Sequence, residues 1–245
     1  MKKIALILSF LTTVTILTAQ PAFKRFYVAF GTQQTFLAGT QNQTLSYHQL
    51  PNRPDLDYSV VVNNNNANSA SFHVGAGVQF ELTSKLIIGV GARISPNNFR
   101  ITGTSIFPGG QQAGYDFSYQ LDTLTTLAEL RLTYAFKPVS IYVGVLGGLI
   151  TSQNRNFTVL TPNVVGNNFV DSGTQSINAY GMELGVQHLF PDHWAVGLSA
   201  QTLWAGQTHL GDAHAPVAPS QLTIDGHIGN SLNSYQVSVS LAHYF

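Results

Sequence analysis

Residues 234–245, SYQVSVSLAHYF, stop on an aromatic residue in the middle of a regular alternation. Tyr235, Val237, Val239 and Leu241 are apolar and lead on to His243 and Phe245, while Gln236, Ser238, Ser240 and Ala242 between them are polar or small. A period of two is the mark of a strand with one oily and one wet face. Taken alone it fits any half-buried strand, so the rest of the chain has to decide which kind.

The same period recurs in seven further segments: 24–36, 71–82, 86–97, 119–136, 139–150, 177–189 and 193–204. Each runs to about ten residues or more, which suits a tilted membrane-crossing strand of roughly 9–11 residues. None carries a helical period. The connections sort by parity. Thr83-Ser84-Lys85, Lys137-Pro138 and Phe190-Pro191-Asp192 are tight turns, whereas 37–70, 98–118, 151–176 and 205–233 are long and rich in Asn, Gly, Pro and Ser. Strict alternation of short and long connections predicts an up-and-down antiparallel barrel, with turns at one membrane face and four long extracellular loops at the other.

Composition agrees. Of the 245 residues only 9% are charged, against roughly 25% in an ordinary soluble domain. Beyond the N-terminus no apolar run nears the ~18 residues a spanning helix needs. The net charge of zero and the lack of a basic cluster past residue 3 argue against a nucleic-acid partner. With no cysteine there is no disulfide framework to consider. Residues 1–20 combine a basic head, MKK, with an apolar stretch and the sequence Thr18-Ala19-Gln20, which predicts an exported chain whose leader is removed, leaving 21–245 as one barrel domain.

The faces follow from the alternation. In 193–204, Trp194, Val196, Leu198, Ala200, Thr202 and Trp204 share one side, with the chain's two tryptophans ten residues apart. On a tilted strand that separates them by about 25 Å along the membrane normal, the spacing of two aromatic girdles. The three glutamates, Glu81, Glu129 and Glu183, all fall in strands on the polar side, as do Arg25, Arg93 and Arg131. An arginine at the midplane of hydrocarbon costs roughly 2–4 kcal/mol, so these six charges are expected to point inward and pair. An eight-stranded interior is just wide enough for side chains to fill. Inward glycines such as Gly75, Gly77, Gly91, Gly144 and Gly185 leave room for the long ones.

With alternation, loop parity and the terminal aromatic in place, the chain resembles the small eight-stranded outer-membrane β-barrels typified by OmpX and the OmpA transmembrane domain. The leader ending TAQ and the Asn-rich loops are similar to those of Bacteroidota members. The resemblance implies an integral cell outer-membrane protein with both termini periplasmic. It also implies that Val237, Val239, Leu241 and Phe245 form the signal read by the barrel-assembly machinery, with His243 where a tyrosine is usual and Tyr244 displaced by one. The expected partners are outer-membrane lipids, that machinery, and a protein or glycan ligand met by the loops, with the barrel a monomer. The favoured function is a non-enzymatic envelope or partner-binding barrel whose lumen is plugged by ion pairs. A narrow porin-like channel lined by the same charges is the first rival. The second is a lipid-modifying enzyme, since small barrels of that kind exist and the loops hold His48, His209, Asp212, His214, Asp225 and His227. These lack a recognised ligand spacing and no nucleophile is placed beside them, so no catalytic residue, metal or cofactor is assigned.

Overall fold

The computed structural model describes residues 24–38, 43–48, 56–61, 67–106, 116–160, 174–209, 223–227 and 229–245. The leader at 1–20, Asp212 and His214 lie outside them. The described residues contain no helix. Thirteen strands run in chain order: β1 Lys24–Leu37, β2 Gln43–His48, β3 Leu56–Val61, β4 Asn68–Glu81, β5 Leu86–Ile106, β6 Asp116–Ala135, β7 Val139–Leu160, β8 Gln175–Leu189, β9 Trp194–Ala205, β10 Gln207–His209, β11 Thr223–His227, β12 Gly229–Ser231 and β13 Ser234–Tyr244.

Eight of these close a ring. β1 pairs with β4 on one side and β13 on the other, β4 continues to β5, β6, β7, β8 and β9, and β9 meets β13, every pairing antiparallel. Followed from partner to partner once round, Ala70 on β4 leads through Gln34, Val237, Ala200, Leu184, Val143, Leu132 and Ile88 to Phe80, also on β4. The wall therefore closes with a stagger, which obliges the strands to lean about 40° from the barrel axis. No edge is left in the ring, as hydrocarbon requires.

The seam joins the first and last strands. Beyond the ladder, the Phe245 N–H donates to the Phe26 carbonyl at 2.8 Å and the Tyr244 N–H to that of His193 at 2.9 Å. The final aromatic thus fastens the chain end to β1 and to the β8–β9 turn. Short turns fall where expected. Thr83 Oγ1 accepts from the amides of Lys85 and Leu86 at 3.3 and 3.0 Å, a hydroxyl mimicking a backbone turn. His193 reverses the chain at φ 63°.

The loop end differs from expectation. β5 runs to Ile106, β6 begins at Asp116 and β7 runs to Leu160, so much of the segments 98–118 and 151–176, read as loops, is strand. The segment 37–70 supplies β2, β3 and the start of β4, and 205–233 supplies β10 to β12. β3 pairs with the top of β5, β2 with β3 and β11 with β2, while β10 and β12 form a separate pair. The physical reason is a reversal of polarity. On β5, Val90, Ala92 and Ile94 face out, but farther along Asn98 and Arg100 face out while Phe99 and Ile101 are buried inward. β6 does the same with Gln120 and Asp122 outside, Tyr119 and Leu121 inside. Where the outer face of a strand turns polar it meets water, so the apolar residues turn in. Pro96 lies just past the last β4–β5 pair, Val74↔Ile94, where a missing N–H costs no ladder bond on that side.

Candidate functional site

The lumen is built from the inward positions of the ring, and it is layered. At mid-height Arg93 on β5, Glu129 and Arg131 on β6 and Glu183 on β8 meet. Arg93 Nη1 lies 3.3 Å from Glu183 Oε1, and Arg131 Nη2 lies 3.3 Å from Glu183 Oε2 and 3.2 Å from Glu129 Oε1. Each oxygen of Glu183 therefore faces a different guanidinium. Two positive and two negative charges cancel within one cross-section, and all four side chains are at most 14% exposed. A buried cluster of this kind is tolerated only when every charge is matched and hydrogen-bonded.

The match is completed by residues that alternation alone did not single out. Tyr27 Oη donates to Glu129 Oε1 at 2.6 Å. To reach β6 from β1 its ring crosses β4 and β5 over glycine: a Cβ at Gly77 would lie 2.6 Å from Tyr27 Cε1, and one at Gly91 2.5 Å from its hydroxyl. Tyr142 covers Gly185 in the same way, where a Cβ would lie 2.2 Å from its Cζ, and the Arg131 guanidinium stacks on that ring at 4.1 Å. Arg93 also donates to Gln201, which donates on to Gln236. Ser199 hydrogen-bonds Glu183 and pairs with Ser238 at 2.7 Å. Beside this network lies a cavity of about 30 Å³ lined by His73, Arg93, Glu129, Arg131, Glu183 and Ser199 among others, room for about two waters. His73 Nδ1 and Arg131 Nε, both buried without a protein partner, are the polar groups such waters would satisfy.

Toward the turn end, Tyr244 Oη donates to Gln187 at 3.2 Å and its ring tilts against Tyr27 at 5.8 Å. Arg25 and Glu81 form a separate pair at 3.5 Å, each about one-third exposed. They line a mouth of about 170 Å³ together with Lys137, Ser140 and Gln187. Toward the loop end, Asn97 Oδ1 accepts from Ser71 at 2.9 Å and from Thr35 at 3.0 Å. Above that polar layer the lumen is filled by Leu37, Ala67, Phe99, Ile101, Tyr119, Leu121, Leu203 and Leu232, none more than 3% exposed. The expected ionic plug thus has an apolar lid over it, invisible to a reading that assumed inward means polar.

Outside, Phe30, Val74, Val90, Leu130, Val143, Leu184 and Leu198 are exposed apolar residues. Trp194 and Trp204 both face out, the first packed edge-on against His243 at 4.6 Å and the second against Tyr180 at 5.8 Å. Val237, Val239 and Phe245 are exposed on that surface, with Leu241 half-buried beside them. His48, Asp225 and His227 lie on β2 and β11 and His209 on β10, strands paired among themselves above the ring. Among the described residues no group of His, Cys, Asp or Glu is arranged to hold a metal.

No family model and no curated protein matches the sequence. Among solved structures, the chain is similar to Neisserial surface protein A (14% identity, 90% of this chain and 97% of that one, TM-score 0.44). It is similar also to the outer membrane protein OprG of Pseudomonas aeruginosa (11%, 91% and 97%, TM-score 0.48) and to the outer membrane protease OmpT of Escherichia coli (10%, 94% and 99%, TM-score 0.49). With its closed eight-stranded antiparallel wall, oily outside and charge-filled inside, the chain is a small up-and-down β-barrel.

Proposed function

We propose that the protein is a non-enzymatic, non-conducting outer-membrane barrel that carries a sheet of strands on its extracellular side for contact with a protein or glycan. It is a monomer with both termini in the periplasm, surrounded by outer-membrane lipid and delivered by the barrel-assembly machinery through Val237, Val239, Leu241 and Phe245. One observation carries the reading: the lumen is filled twice over, by the Arg93–Glu183–Arg131–Glu129 network at mid-height and by the apolar layer around Ile101 and Leu121. A pore would need a continuous wet path through both. The extended strands β5 to β7, with β3, β2 and β11 paired on in turn, give the loop end a rigid surface of the kind that carries binding. The test is reconstitution into planar bilayers. The refolded protein is expected to give no single-channel steps. Reproducible steps that change on Arg93→Ala or Glu129→Ala would replace this reading with a channel.

A further inference from the structure

The outer face of the wall changes from oil to charge within two residues of the loop-end aromatics. Leu124 on β6 is 45% exposed. The next outward row across β5, β6 and β7 is Asn98↔Asp122↔Gln153, and the one beyond it Arg100↔Gln120↔Arg155. A strand rising 3.3 Å per residue and leaning about 40° gains about 2.5 Å per residue along the membrane normal. Asp122 and Gln120 therefore stand about 5 and 10 Å above Leu124. Because the strands lean, each step to a neighbouring strand shifts the height by about 3 Å, which puts Arg100 at about 7 Å and Arg155 at about 13 Å. Headgroups add about 5–7 Å on each side of a 30 Å hydrocarbon core. Arg100 stands at headgroup depth and Arg155 just beyond it, where a long guanidinium side chain reaches back to the phosphates.

The side chains there are organised. Arg155 Nε lies 3.4 Å from Asp122 Oδ2, while Gln153 Oε1 accepts from Arg155 Nε at 3.1 Å and from Nη2 at 2.6 Å. Asn98 Nδ2 donates to the other oxygen of Asp122. Both carboxylate oxygens are thus engaged inside the wall, and Arg155 is held in place with Nη1 lacking a partner among the described residues. Arg100, exposed two strands away, has no ion-pair partner among them either. Two strand spacings put the Cα atoms of these arginines about 10 Å apart. Guanidinium donors at headgroup depth, in excess over carboxylate, match an oxyanion in charge and fork geometry.

We propose that Arg100 and Arg155 form a binding site for the phosphate of an anionic lipid headgroup at the loop end of the barrel, with Asp122 and Gln153 as positioning residues for Arg155. The site rests on the membrane placement of the wall proposed above. The test is native mass spectrometry of the refolded protein in zwitterionic phosphatidylcholine micelles doped with phosphatidic acid, its fold checked by heat-shifted gel mobility. Wild type is expected to retain phosphatidic acid about tenfold over phosphatidylcholine, and the Arg100→Ala/Arg155→Ala variant to fall near parity. Arg25→Ala, at the opposite rim, is expected to keep the preference. Equal retention by wild type and the double variant, the same loss in Arg25→Ala, or displacement of the lipid by millimolar inorganic phosphate would overturn the site. A barrel that does not enter vesicles at all, shown by full protease access to the ring strands, would instead overturn the membrane placement.

Discussion

Glu183 is the residue on which the lumen turns, because each of its oxygens answers a different arginine. Removing it leaves Arg93 and Arg131 buried without their shared counter-charge. Breaking one side of a buried ionic group costs about 3–5 kcal/mol, and Glu183→Ala is expected to lose that much in equilibrium urea unfolding from lipid vesicles. Arg25→Ala is the contrast. Its pair with Glu81 is one-third exposed and worth about 1 kcal/mol or less, so its unfolding midpoint is expected to stay near wild type. Tyr27→Phe removes one hydroxyl at the Glu129 carboxylate. A hydrogen bond to a buried charge is worth about 1.5–3 kcal/mol, and the same titration is expected to show a loss of that size. The three substitutions rank as they do because burial, rather than charge, decides the cost. That the charges point inward was legible in the sequence, since hydrocarbon forbids the alternative. The reach of Tyr27 across two strands to Glu129 was not: it depends on the register of β1 against β4 and β5, and on glycine at both crossings.

At the scale of the strand, alternation and loop parity were enough to place the eight ring strands and the turn-end boundaries to within a few residues. They failed at the other end for one reason. Alternation with oil outside and polarity inside fades at residue 97, and 98–118 reads as a loop. Beyond that point the period of two persists with its polarity inverted. Phe99 and Ile101 therefore fall in a segment read as a loop although they keep step with the strand, while Tyr119 and Leu121 open the segment 119–136 read as a strand. Period two without regard to sign carries β5 on to Ile101 and starts β6 at Tyr119, whereas on β7 the inward Ser152 and Asn154 and the outward Gln153 and Arg155 are polar alike. The inversion also separates two cores with different outer faces, apolar around one and polar around the other. Leu121→Ala, at a site with 0% exposure, removes apolar contact from the upper core, where such truncations cost about 2–5 kcal/mol. Limited proteolysis is expected to cut within 98–122 much faster in this variant, while the heat-shifted band of the ring persists. Equal cleavage of variant and wild type would mean that this layer does not hold the upper strands together.

For the molecule as a whole, the stagger and the lean of the strands fix how much of it fits a bilayer. Phe26, Tyr134, Phe136, Phe190, Trp194 and Phe245 are exposed aromatics at the turn end, and Phe36, Phe72, Tyr180, Trp204 and Tyr235 at the loop end. The bands are about ten residues apart, or about 25 Å on strands tilted by 40°. Leu184 sits midway between them on β8, 57% exposed on the outer face. In water such a residue is a free surface position, where exchange for arginine changes stability by about 0.5 kcal/mol or less. In a bilayer it is the midplane, where arginine costs about 2–4 kcal/mol. Thr102→Arg, on the outer face of β5 beyond the polarity inversion, is the matched control and is expected to be neutral in either setting. Urea titrations of both variants in lipid vesicles therefore measure the placement of the wall directly: a large loss for Leu184→Arg with none for Thr102→Arg fixes the hydrocarbon between the aromatic bands, and equal small effects would remove the barrel from the membrane.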